Sequence, residues 1–161
     1  MRGRLSPGSA FGLRFFAYLF LFSFGFWLFS VHQRLGPVQR LIARLGTALQ
    51  QAAGGHAVWR GDDIVIRTMI LNINHECTGV FVYILFASFV LAYPAPWLGR
   101  LTGMLIGTPL IFAVNVFRIA TLARVVEIYP HAFFYLHEYV WQGVFTVLVL
   151  IGAIGWAERY E

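Results

Sequence analysis

Four stretches of this 161-residue chain, residues 15–31, 77–99, 101–117 and 139–157, contain no Asp, Glu, Lys or Arg. Each has at least 17 residues, the length at which a helix crosses a hydrocarbon core about 30 Å thick. Hydrophobic residues make up 59% of the chain and charged residues 12%, about half the charged share of a soluble domain. Too little polar sequence is left to clothe a soluble enzyme or a nucleic-acid-binding domain, and a disordered tail is excluded by the apolar content. The fold class expected is an all-α integral membrane protein with about four transmembrane helices. The spans are placed at 15–31, 78–98, 101–118 and 139–157 within a single domain covering 1–161.

The formal charge of +5 comes from Arg alone among the strong bases. Arg at a membrane edge contacts lipid phosphate and snorkels, so membrane lipids, and no nucleic acid, are the partners these charges predict. Arg2, Arg4 and Arg14 precede the first apolar run, as in a signal peptide. No small-x-small cleavage site follows it, and its end, Phe26-Trp27-Leu28-Phe29-Ser30-Val31, is bulky where a signal peptidase needs alanine, so it reads as a retained anchor with a cytoplasmic N-terminus. Four crossings would return the C-terminus to the cytoplasm, with Arg100 and Arg159 on the inner side. The count of Arg residues runs the other way, since Arg34, Arg40, Arg44, Arg60, Arg67, Arg118 and Arg124 then lie outside. The first helix usually dominates orientation.

Residues 32–76 form the expected extracytoplasmic segment. Leu35, Val38, Leu41, Ile42, Leu45 and Leu49 recur at helical spacing over 34–50, predicting an amphipathic helix at headgroup level that Gly54 and Gly55 end. Val58-Trp59-Arg60, a Gly61-Asp62-Asp63 turn and the β-branched run 64–73 predict a small β-hairpin. Open strands cannot sit in lipid, so the hairpin caps the outer mouth of the bundle. The third span is expected to run on as helix through Arg118 and Arg124 to about Tyr129, where Pro130 stops it. Residues 131–138 then turn into the last span.

The only cysteine, Cys77, excludes an internal disulfide, a CxxC pair and a four-thiolate metal site. It opens the second span. Seventeen residues from Leu101 rise about 26 Å, which brings Arg118 back to the same side, and His137 begins the last span there too. Helix N-terminus and Arg both favour a thiolate. A His in reach can take the thiol proton and later protonate a leaving amine, and Arg118 can hold a developing oxyanion.

Glu76-Cys77-Thr78-Gly79 opening one span, Asn115-Val116-Phe117-Arg118 near the end of the next, and His137 before the last resemble the exosortase/archaeosortase family. Its members carry a Cys-Ser/Thr-Gly motif, an Asn-x-x-Arg motif and a downstream His, all extracytoplasmic. With only four spans and no fused soluble domain, the chain looks like a short form similar to the exosortase H type. The resemblance implies a cysteine transpeptidase of the prokaryotic cell membrane, with Cys77 as nucleophile, His137 as acid/base and Arg118 as the polarising group. Its implied partners are exported proteins carrying a C-terminal sorting signal: a short motif, a membrane helix and a basic cluster. A lipid or surface-polymer acceptor would receive them, and no cofactor is implied.

Other readings compete. Asn115 lies on the Arg118 face of its helix, which favours Arg118 over Arg124 in the site; Arg124 stands as a supporting candidate, as do Thr78 and Glu76. His75 and His131 are alternatives to His137 as base, and either Glu76 or Glu138 could orient the imidazole. A zinc-type site of His75, Cys77 and His137 has no spaced ligand pair on one helix behind it, and no metal is expected. A non-catalytic membrane scaffold, with Cys77 as packing, and a protease that only hydrolyses are the alternatives to a transpeptidase.

Overall fold

The computed structural model describes residues 6–30, 35–67 and 69–160; Arg2, Arg4, Val31 and Arg34, used in the sequence reading, lie outside them. Helix α1 (Pro7–Ser30) is apolar on every side and leaves large side chains such as Phe16, Phe20 and Leu21 exposed, as a helix bathed in lipid does. It runs antiparallel to α3 (Val80–Ala92), with Phe11 against Phe89 (5.8 Å between centroids) and Phe26 against Phe81 (5.9 Å). Helix α4 (Trp97–Ile128) continues past the uncharged run 101–117 through Arg118 and Arg124, as expected, and ends before Pro130. The expected turn at 131–138 is instead helical throughout. A 3-10 turn (Pro130–Ala132), the single turn α5 (Phe133–Tyr135) and a π-helical stretch (Leu136–Val140) lead without a break into α6 (Trp141–Ala157).

Among the described residues, three helical stretches are long and apolar enough to cross a membrane: Gly8–Phe29, Trp97–Ile128 and Pro130–Tyr160. The second expected span falls short, because α3 has only 13 residues. Its helix starts after Gly79 and stops at Tyr93, which is extended (φ −65°, ψ 140°) ahead of Pro94, the conformation a following proline imposes. With its flanking turns α3 still reaches far along α4. The Cys77 carbonyl is bonded to Asn115 and the Tyr93 carbonyl to Arg100, positions separated by about 22 Å of helix rise.

Helix α2 (Gly36–Ala52) forms where the sequence placed it and packs on the last third of α4. Its contact is made by the flank Ile42, Ala43, Gly46, Thr47 and Gln50, all buried. Val38, Leu41, Leu45 and Leu49 remain exposed along the neighbouring stripe, an apolar strip of the kind that beds into a lipid interface. The run expected as one arm of a hairpin is split at a bend at Arg67, so the hairpin becomes a three-stranded antiparallel sheet: β1 (Val58–Arg60), β2 (Asp63–Val65) and β3 (Ile70–Asn72), in the order β1-β2-β3. The alternation Ile64, Ile66, Leu71, Ile73 gives the sheet one buried face. That face closes over Ile42 and Ala43 of α2 and Ile119, Leu122, Ala123 and Val126 of α4. A second cluster, Phe86, Val90, Ile111, Phe145 and Val149, holds α3, α4 and α6 together at mid-depth.

A carboxylate pins the sheet and α2 to α4. Glu127 accepts from Gln50 Nε2 (2.7 Å), Arg124 Nη1 (3.1 Å) and the His56 backbone N–H (3.2 Å). Between α2 and α4, a Cβ on Gly46 would lie 3.0 Å from Ile119 Cγ2, so the two helices approach closely enough that any side chain there must displace Ile119. Gly46→Leu is therefore expected to lose about 1–3 kcal/mol, measured as a lower thermal midpoint of the detergent-solubilised protein, while Leu45→Ala on the exposed stripe changes it far less.

Candidate active site

Cys77 lies in a 3-10 turn (Glu76–Thr78) that enters α3 through Gly79, whose φ of +73° is left-handed. A side chain is strained in that region, which is what reserves the position for glycine; a Cβ would otherwise meet the Asn115 amide only at ordinary contact, 3.4 Å. The turn is held by polar contacts on both sides. The Cys77 N–H donates to Asn74 Oδ1 (3.1 Å), Thr78 Oγ1 donates to the His75 carbonyl (2.6 Å), and Asn115 Nδ2, fully buried, donates to the Cys77 carbonyl (2.8 Å).

Cys77 Sγ stands 4.0 Å from His137 Nε2. The imidazole stacks on Phe133, four residues earlier, with centroids 5.4 Å apart and planes 18° from parallel. Its other nitrogen, Nδ1, is 3.2 Å from Glu138 Oε1. His137 occupies the π-helical stretch, whose wider turn redirects side chains and recurs at functional sites. Arg118 is 7% exposed, with its guanidinium carbon 5.7 Å over the Phe145 ring and its Nε without a hydrogen-bond partner. Its charge acts on both Cys77 and Glu138.

Cys77, Asn115, Arg118 and His137 thus come together from three separated elements. Thr78 serves the turn. Glu76 is exposed beside Cys77, and no hydrogen bond joins it to His137; Glu138 is the acid in contact with the imidazole. Arg124 is not brought to the cysteine and is engaged with Glu127 instead. His75 and His131 are exposed on turns. No three His, Cys, Asp or Glu side chains among the described residues converge as metal ligands would. Sequence reading missed Asn74, Phe133 and Phe145. The Asn74-x-x-Cys77 spacing was a readable signal for a side-chain cap, and Phe133 and His137 share the four-residue helical spacing.

A cleft of about 290 Å³ opens at the sulfur, lined by Cys77, His137, Ile119, Leu122, Phe133 and residues 69–73. Enclosure by these groups sets the thiol. Burial pushes Cys77 above the ordinary cysteine value; hydrogen bonding with the Asn74 backbone and the Arg118 charge pull it part of the way back, and Glu76 adds a further rise. Desolvation thus outweighs the groups expected to favour a thiolate, and Cys77 rests as a thiol with the His137 imidazole alongside.

Over residues 5–155 the chain matches the family model described as transmembrane exosortase (Exosortase_EpsH). It belongs to the transmembrane exosortase family. No curated protein and no solved structure matches it significantly.

The raised thiol has a measurable consequence. Alkylation of Cys77 by iodoacetamide, followed by intact mass, should still be accelerating at pH 9, since the reactive thiolate forms only above the ordinary cysteine range. Arg118→Gln removes a charge that lowers the value, so its rate profile should move to still higher pH. A plateau below pH 8 in the wild-type protein would contradict this account of the thiol.

Proposed function

We propose that this protein is a membrane cysteine transpeptidase that cleaves the C-terminal sorting signal of exported proteins and transfers them to a lipid or surface-polymer acceptor. The observation that carries the reading is Cys77 Sγ lying 4.0 Å from His137 Nε2 in a cleft at one end of the helical bundle. Membership of the exosortase family supports the reaction class. In this reading α3 is the fourth, short crossing, made possible by its flanking turns and by local thinning of the bilayer. The cleft, α2 and the sheet are extracytoplasmic, and both termini are cytoplasmic.

The reaction runs as an acyl transfer. His137 Nε2 takes the thiol proton as Sγ attacks the scissile carbonyl, and the C–S bond forms while the carbonyl oxygen takes up charge. The Arg118 guanidinium, with a buried donor not spent in the resting protein, stabilises that oxyanion. Collapse breaks the C–N bond, His137 returns its proton to the departing amine, and a thioester on Cys77 remains. An amine or hydroxyl acceptor then attacks the thioester, losing its proton to His137, and Sγ leaves as the thiolate that His137 reprotonates. Glu138, beside Nδ1, steadies the imidazolium in between. An apolar cleft at the membrane edge favours a bound acceptor over water.

The test is the intact mass of a C-terminally anchored cognate substrate co-expressed with the wild-type enzyme or its variants. Cys77→Ala should insert and fold yet leave the substrate whole, and His137→Ala should lose about 10²–10⁴-fold in rate. The mass of the new C-terminus distinguishes an acceptor adduct from a hydrolysed acid. Processing that survives Cys77→Ala would overturn the enzyme reading and leave a membrane scaffold. Separately, Asn115→Ala should cost about 1–3 kcal/mol of stability by orphaning the Cys77 carbonyl, read as a lower thermal midpoint together with faster alkylation of the loosened cysteine.

A further inference from the structure

We infer that strand β3 is the docking edge for the substrate, which adds an extended segment to the sheet as a fourth strand and so presents its scissile bond to Cys77. The inference rests on the peptidase reading above and says how that same cleft holds its peptide.

The sheet order β1-β2-β3 leaves β3 at an edge, with β2 on one side and no other strand of the described residues on its other side. The register settles which groups are free. Ile73 N–H donates to the Asp62 carbonyl and Ile66 N–H donates to the Met69 carbonyl. In an antiparallel ladder the bonded pairs alternate, so Met69, Leu71 and Ile73 turn their backbone groups to β2. The N–H and C=O groups of Ile70 and Asn72 therefore point away from it.

That outward edge belongs to the cleft. All of residues 69–73 line it, alongside Cys77 and His137. Leu71 and Ile73 reach it from the buried face of the sheet, but the Ile70 and Asn72 side chains lie on the opposite, exposed face, where Asn72 Nδ2 donates to Asp63 Oδ1 at 2.7 Å. What those two residues contribute to the cleft is main chain. An unpaired strand edge is a ready template for another strand, and main-chain pairing of this kind gives affinity with little regard to sequence, leaving alternate side-chain pockets to supply specificity. Here the inward-facing positions of an added strand would meet Leu71, Ile73, Leu122 and Phe133. The substrate class is thus an extended, uncharged segment with small or apolar side chains at alternate positions.

Proline on an edge strand is tolerated, and at Ile70 or Asn72 it would remove a donor from the free edge without touching the ladder to β2. The full-length protein in nanodiscs would be labelled at Cys77 with an acetyl-Ala-Val-Ala vinyl sulfone, with iodoacetamide as a small reagent that needs no edge. Ile70→Pro and Asn72→Pro should each slow the peptide probe about 5–10-fold relative to Ile70→Ala and Asn72→Ala, while iodoacetamide rates match within each pair. If a proline variant fails that iodoacetamide check, the probe itself decides on the wild-type protein. N-methylation of successive probe amides should slow labelling about 5–10-fold only at alternate positions. Equal rates for proline and alanine variants, or N-methyl effects without alternation, would overturn the docking edge. Loss of the peptidase reading has a different signature, namely substrate processing that persists in Cys77→Ala.

Discussion

The hydrogen bond from Asn115 to the Cys77 carbonyl is the constraint on which the site turns. It joins the turn before α3 to the middle of α4 inside an apolar bundle, where an amide without a partner costs about 1–3 kcal/mol. Gly79 lets the chain turn from Cys77 into α3 by adopting a left-handed φ. Once that contact is made, Arg118, one turn further along α4, is committed to the same end of the bundle as the thiol, and the remaining partner must arrive from the last helix.

The electrostatics follow from this enclosure. A buried thiol and a buried guanidinium are each costly alone, and here each lies within the other's electrostatic field, with an aromatic face beneath the cation and Glu138 also in its field. The result is a neutral thiol beside an imidazole whose orientation is set, because Phe133 stacks on its ring and Glu138 sits at its second nitrogen. In the proposed acyl transfer that orientation places the base for proton removal at the moment of attack.

Outside the bundle, Glu127 acts as a fastener. Its carboxylate gathers Gln50 from α2, the His56 backbone from the loop before β1 and Arg124 from its own helix, and the shared core of α2, sheet and α4 grows next to it. Arg124 is accordingly spent on architecture. The fastener also fixes the height of the sheet, which is what sets the open edge of β3 alongside the sulfur.

Much of this was written in the order of residues. Uncharged runs of spanning length, the amphipathic stretch in α2, Pro130 after α4, and the Cys-Thr-Gly, Asn-x-x-Arg and His signals at the ends of apolar runs are local patterns, and local patterns report composition and period directly. The sequence could not set the length of α3, which Gly79 and Pro94 trim to 13 residues, nor the bend at Arg67 that makes a third strand. It could not choose between Glu76 and Glu138, because that depends on the π-helical turn that carries His137. At Cys77 the arginine that favours a thiolate is visible in the sequence and acts as expected, but desolvation, which is not visible there, outweighs it. Membrane class and the candidate groups Cys77, Arg118 and His137 were legible from residue chemistry alone; their distances, the protonation of the thiol and the exposed strand edge were decided only by packing, because each depends on which distant atoms exclude water.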